Sequence, residues 1–304
     1  MANLAQRVDR PRQNVQVTDH VFIAGPATWN RIVELDRLPE PVPHMQFALG
    51  EWETMGGTSA GKALGLTALG RRVTLYALLG DDAEGTRVRG LLTAAGVELL
   101  EGEGEGGTTE RHLNLMTRDG ARVSLFLATP DVPAGGPSPT AVAAMTDASA
   151  IVLDLAPVSL GLIPLARATG HPIWTDIHDY DGESEFHRPF IAAADVIFMN
   201  ADRIGDDPLP FMERCIEGGA SLVVCTLGAE GAVALDERMT CHAVAAAPVE
   251  VLDTNGAGDA FMAGVLDATL AGAPLPEALR AGASHAAAVL TTRHLHPRLD
   301  ALLG

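Results

Sequence analysis

The sequence predicts an α/β protein: a three-layer sandwich whose mostly parallel central sheet is covered by helices on both faces, with a small second sheet projecting from it. Two observations carry that expectation. Short, continuous apolar runs near 21–24, 73–78, 151–155, 173–175, 196–199 and 222–226 alternate with longer segments of helical character. Strands that are apolar throughout belong to sheets buried on both faces, and their parallel crossovers need helices. The stretch 108–127 breaks this rhythm, because Arg111 to Thr117 and Arg122 to Leu127 flank Arg118-Asp119-Gly120 as the arms of a β-hairpin would.

In chain order, residues 1–18 form a loose polar arm ahead of one domain, 19–304. Val21 to Ala24 is the first strand, ended by Gly25-Pro26. Prolines at 39, 41 and 43 lead into Gln46 to Thr54, an exposed extended segment rather than a core strand. After Gly56-Gly57, the small and apolar residues from Thr58 to Leu69 favour a helix, and Val73 to Leu78 is a buried strand. Gly80-Asp81-Asp82 ends it, and Glu84 to Ala95 then sets Val88, Leu91 and Leu92 on one helical face. The hairpin and the earlier extended segment, about 42–55 and 108–128, make the projecting sheet. Beyond the loop from Pro130 to Pro139 the alternation resumes, and Asp176, Asn200, Gly228 and the turn at 253–259 fall at the carboxyl ends of strands, where such sheets bind ligands.

Composition narrows the class of partner. The chain has 304 residues, 47% hydrophobic and 20% charged, which suits a folded globular protein and argues against extensive disorder. A net charge of -18 weighs against nucleic acid or anionic membrane, since both require a basic footprint. It leaves room for a nucleotide, because one local cradle can hold a triphosphate with magnesium. Cys215, Cys225 and Cys241 have neither disulfide-framework nor zinc spacing, and a reducing cytoplasm follows as the expectation. No apolar run approaches the ~20 residues that span a bilayer.

The most informative stretch is Asp253-Thr254-Asn255-Gly256-Ala257-Gly258-Asp259-Ala260-Phe261. It follows the apolar, strand-like Val249 to Leu252 and opens a helix carrying Phe261, Val265, Leu266 and Thr269. A helix start leaves four amide groups unpaired under a positive partial charge, so a glycine turn there can receive an anion. On the turn alone Asp259 is either an acid that favours the helix start or a base that takes a proton from an attacking hydroxyl.

Three other motifs compete. Gly56 to Lys62 matches G-x-x-x-x-G-K, but Ala63 replaces the hydroxyl that would meet magnesium and no buried strand precedes it, which leaves Lys62 as a solvated helix lysine. Gly102 to Gly107 formally satisfies G-x-G-x-x-G, yet its glutamates would repel a pyrophosphate and a hairpin follows where a helix is required. The run Asp176 to Glu183 fails the calcium-loop spacing and reads as a polar loop, while His294 and His296 read as surface or helix residues.

Taken in order, these segments resemble the ribokinase-like carbohydrate kinase family of the phosphofructokinase-B type, from about Val21 to the C-terminus. The stretch 253–261 looks like the family's C-terminal signature, and Gly56-Gly57 with Ala63 and Leu69-Gly70 looks like its N-terminal one. Gly80-Asp81-Asp82 with Gly85 and Ala95-Gly96-Val97, and Thr226-Leu227-Gly228-Ala229-Glu230-Gly231, resemble two further segments. The resemblance implies that the projecting sheet is a lid closing over a sugar, and that the γ-phosphoryl group of ATP passes to a hydroxyl of a sugar, nucleoside or related small molecule. It makes Asp259 the catalytic base and Gly256, Ala257 and Gly258 the anion hole. Asn200, Thr226, Gly228, Gly231, Asp253 and Thr254 fall on the nucleotide side, and Asn30, Gly56, Gly57 and Gly61, with Asp259, on the acceptor side. ATP and Mg2+ are the implied cofactors, with a monovalent cation admitted, and the lid's free edges could pair two copies as a homodimer. Three positions depart from the family pattern: Asn30 stands for the usual Asp, Gly61 for the usual Asn, and Arg203 for the glutamate of N-x-x-E. These departures motivate the alternative of a catalytically idle member that binds a nucleotide or metabolite as a regulator.

Overall fold

The computed structural model describes residues 20–102, 107–118, 120–178, 180–205 and 207–304; the N-terminal arm and the core of the Gly102 to Gly107 segment lie outside them. The elements run β1 (His20–Ala24), β2 (Thr28–Leu35), β3 (Gly50–Gly56), α1 (Thr58–Ala68), β4 (Arg72–Leu78), α2 (Ala83–Ala94), β5 (Glu98–Gly102), β6 (Arg111–Thr117) and β7 (Arg122–Ala128). They continue as α3 (Pro139–Thr146), β8 (Ala150–Leu153), α4 (Pro157–Thr169), β9 (Ile173–Asp176), α5 (Arg188–Ala193), β10 (Val196–Asn200), α6 (Leu209–Glu217) and β11 (Leu222–Thr226). The last are β12 (Ala232–Asp236), β13 (Cys241–Val244), α7 (Ala257–Leu270), α8 (Leu275–Val289) and α9 (Asp300–Leu303).

Every residue of β1 is buried because its alternate side chains enter two different cores. Val21 and Ile23 pack with α1, α2, α7 and α8, whereas Phe22 and Ala24 pack with α3, α4 and α5 on the opposite face. That two-sided burial is the three-layer sandwich. The central sheet has the order β13-β12-β11-β10-β9-β8-β1-β4-β5, parallel from β11 to β5, with β12 and β13 added antiparallel at one end.

The second sheet has the order β3-β2-β6-β7. Its hairpin is the expected one, whereas β2 was not expected: Asn30, Arg31 and Glu34 interrupt its apolar pattern, since it pairs in the lid rather than the core. Only Gly25, Pro26 and Ala27 separate β1 from β2, and only Gly57 separates β3 from α1. The extended segment begins later than expected, at Gly50.

One expectation is overturned near the glycine turn. Val249 to Leu252 is not a strand, and Val251 and Leu252 are exposed. The amides of Leu252 and Asp253 both reach the Leu290 carbonyl at the end of α8, so this segment is tied to a helix terminus instead of a sheet neighbour. The start of the turn is therefore anchored by the residue that ends α8.

Candidate active site

Gly256 caps the start of α7 in a left-handed conformation (φ 76°), and a Cβ there would lie 2.8 Å from the Leu295 carbonyl oxygen, so only glycine fits without strain. No side chain caps this helix start, and the Ala257 amide donates to the Thr254 carbonyl at 3.4 Å. Gly258 is exposed, with nothing within 4 Å of where a side chain would begin. It faces a cleft also lined by Asp176, His178, Phe198, Met199, Asn200 and Thr226. The structure thus brings the turn together with the ends of β9, β10 and β11.

Asp259, in the first turn of α7, is 7% exposed. Its carboxylate accepts a hydrogen bond from the Lys62 ammonium at 2.7 Å, and the same ammonium lies 3.1 Å from Asp154 and 3.4 Å from Asp176. Asp154 in turn accepts from the Ser59 hydroxyl at 2.6 Å, and Asp176 faces His178 Nδ1 at 3.3 Å. Burial raises the Asp259 carboxyl to about 6, opposed by Lys62 and reinforced by Asp176 and Asp154. Burial works against the charge on Lys62 as well, but its three carboxylates outweigh it and hold the ammonium protonated. For Asp176, burial is outweighed by His178 and Lys62, which keep it ionised.

Lys62 is therefore not the solvated lysine expected from the broken P-loop pattern; it is 1% exposed. The clue lay in its helix. Every residue from Ser59 to Leu66 is buried, since α1 runs through the middle of the molecule, and a run of small and apolar residues has no polar face for a lysine to occupy. Gly61 makes room for the pair, because a Cβ there would meet the Asp259 carboxylate at 2.8 Å.

On the lid side, Asn30 is buried in β2 and accepts from the Thr28 hydroxyl at 2.6 Å. Its amide nitrogen lies 2.0 Å from where a Cβ on Gly56 would stand. Gly57 has φ 98°, and a Cβ there would meet the Pro26 carbonyl oxygen at 2.4 Å. These three residues gather where the second sheet enters the core, at the start of the helix that carries Lys62. The hairpin reaches over the glycine turn itself: Arg122 donates to the Asn255 side chain at 3.0 Å, and Asn255 donates to the Met116 sulfur at 3.1 Å.

The nucleotide-side residues divide. Asn200 and Thr226 line the cleft, with the Asn200 side chain accepting from the Asp202 amide at 3.1 Å and the Thr226 hydroxyl donating to the Met199 carbonyl. Gly228 and Gly231 bracket a short 3-10 turn after β11 and are not among the residues lining the cleft. Asp253 is buried and accepts from the Asn255 amide at 2.8 Å, whereas Thr254 is exposed. Arg203 points to Asp181 at 3.8 Å. Among the described residues no group of three or more histidine, cysteine or carboxylate side chains is placed to hold a metal ion. Neither His294 nor His296 is at the surface or in a helix: both are buried in the bends after α8, where His294 meets the Thr54 hydroxyl of β3 at 3.0 Å.

Residues 185–300 match the model of the pfkB family carbohydrate kinases. The chain is 32% identical over 268 residues to an acarbose 7(IV)-phosphotransferase of Actinoplanes sp., covering 86% of this chain and 89% of that protein. Among solved structures it is similar to a microbiome-derived acarbose kinase, Mak1, with a TM-score of 0.78, 29% identity and coverage of 90% and 93% of the two chains. It also resembles an Arabidopsis thaliana ribokinase complexed with ribose and ATP, with a TM-score of 0.75 and 20% identity over 93% and 97%; that likeness concerns the fold.

Proposed function

The chain belongs to the pfkB family of carbohydrate kinases, and from that premise we propose that Asp259 is the general base of an ATP-dependent transfer to a sugar-like hydroxyl compound held beneath the lid. The observation that supports the reading best is the coincidence of a glycine-capped helix start with a buried carboxylate poised near neutral pH. The acceptor hydroxyl gives its proton to Asp259 while its oxygen bonds to the γ-phosphorus. The bond from that phosphorus to the β–γ bridging oxygen breaks, and its electron pair leaves with ADP. First-turn amides of α7 receive the charge on the transferring group, a contribution of about 10²–10³ in rate for each preformed donor.

Asn200 and Thr226, in the cleft, take the nucleotide side with the Gly228–Gly231 turn, Asp253 and Thr254. Asn30, beside Gly56 and Gly57, takes the acceptor side, where an amide can both donate to and accept from hydroxyls. Magnesium would be held chiefly by the phosphates of the nucleotide and by water, since Arg203 occupies the position of the family's glutamate. A monovalent-cation requirement would be read as lost turnover when potassium is replaced by tetramethylammonium. The acarbose-directed proteins among its relatives make acarbose the first acceptor to try.

The test is ADP release from ATP and magnesium with acarbose, ribose, fructose and nucleosides. Acceptor-dependent release supports the kinase; ATP binding without turnover on any of them favours the idle regulator. Because Asp259 must be ionised to accept a proton, kcat/KM should fall about tenfold per pH unit below about 6 and level off above it.

No helix among the described residues is long and apolar enough to cross a membrane, and we place the enzyme in the cytoplasm on the strength of its unpaired cysteines. We also place a homodimer contact at the lid edge, where β7 leaves Leu125, Phe126 and Leu127 exposed. A charge on an edge strand blocks such pairing, so Leu127→Lys should shift light-scattering mass from dimer to monomer with kcat retained.

A further inference from the structure

We propose that Lys62 is the positioning residue for the general base: gripped by Asp154 and Asp176, its ammonium holds the Asp259 carboxylate in place and ionised until the acceptor hydroxyl arrives. The inference rests on the reading of Asp259 as the base and adds a residue to that site. Its geometry is unusual for a lysine, because the ammonium is sealed from solvent with three carboxylates within 3.4 Å and no water-facing route for its stem.

The charges that face Asp259 come from every side of the packing around it. Lys62 comes from α1, Asp154 from the end of β8, and Asp176 and His178 from the end of β9. Counting His178 as the cation that helps keep Asp176 ionised, three carboxylates and two cations leave the cluster at -1, since 2 minus 3 is -1. Taking the proton of the acceptor hydroxyl onto Asp259 brings it to 0. Excess negative charge therefore favours the proton transfer, and the single ammonium prevents that proton from being taken from water beforehand. Removing Lys62 leaves Asp259 among like charges, where a carboxyl in so buried a site stays protonated and can accept nothing.

Two opposite substitutions separate this role from simple support of the fold. Lys62→Gln should move the acid limb of kcat/KM upward by about 1–3 pH units, the usual effect of one nearby opposite charge. Asp154→Asn, which removes a repelling carboxylate and keeps Lys62, should move it downward. The double variant Lys62→Gln/Asp154→Asn should fall between the two, and its difference from Asp154→Asn isolates Lys62 even if Lys62→Gln alone does not fold. The same order should appear in the 13C carboxyl titration of Asp259, which needs no acceptor. An unchanged acid limb in folded Lys62→Gln or in the double variant relative to Asp154→Asn, or movement of the two single variants in the same direction, would overturn the proposal. Wild-type protein without acceptor-dependent ADP release would overturn the kinase reading itself. Turnover abolished by loss of Asp259 yet indifferent to Lys62 would remove this inference alone.

Discussion

Asp259→Asn is expected to lose about 10²–10⁴ of kcat while the protein folds and binds ATP as before, the range that a positioned general base contributes. The variant retains the glycine turn, so nucleotide affinity measured by calorimetry should be unchanged. Its stability should not suffer either. A carboxyl whose folded pKa is raised stabilises the fold below its unfolded value of 3.8, and that contribution is gone once the pH rises through about 6. At pH 7 the wild-type enzyme carries the ionised group against the preference of its surroundings. A neutral amide relieves that preference, and Lys62 keeps Asp154 and Asp176 as partners. The melting temperature of Asp259→Asn at pH 7 should equal or exceed that of wild type. Near wild-type turnover in the variant would remove Asp259 from its role.

The second large effect is expected at Gly61, where the resemblance would place asparagine. Restoring that residue should damage this enzyme, because a Cβ at 61 stands 2.8 Å from Asp259 Oδ2 and 3.1 Å from its Cγ. The carboxylate must retreat, and a displacement of about 1 Å at a reacting group costs about 10²-fold in rate. Gly61→Ala should show most of the same loss. Gly90→Ala is the control: it lies in α2 with nothing within 4 Å of its Cβ position. Replacing a helical glycine there should stabilise by about 0.5–1 kcal/mol and leave kcat alone. Equal kcat in Gly61→Ala and Gly90→Ala would show that the base tolerates movement.

The fold was legible wherever burial on two faces made a strand continuously apolar, as in Val21 to Ala24 and Leu222 to Thr226. It was not legible in β2, which pairs in the second sheet and carries Asn30, Arg31 and Glu34. Val249 to Leu252 has the composition of a strand but no neighbour to pair with, and composition does not report partners. The glycine turn could be read from local chemistry because its amides and glycines are contiguous. The counter-ion of Asp259 could not, since Lys62 and Asp259 are 197 positions apart and meet only where α1 crosses α7. Asp176 was visible as an acid ending a strand, but only the fold places it with Asp154 around one ammonium.

The short joint between lid and core has a consequence for redesign. Residues 28–62 run without a break from the lid strand bearing Asn30, through β3 and Gly57, to the lysine that grips Asp259. On the proposed reading, acceptor choice and the acidity of the base are thus written in one length of chain. A lid transplanted from a relative to change the sugar would carry its own residues at 61 and 62 unless the graft stopped at Gly57. Such chimaeras should therefore be cut between Gly57 and Thr58, and those cut further along would inherit a foreign base setting together with the foreign pocket.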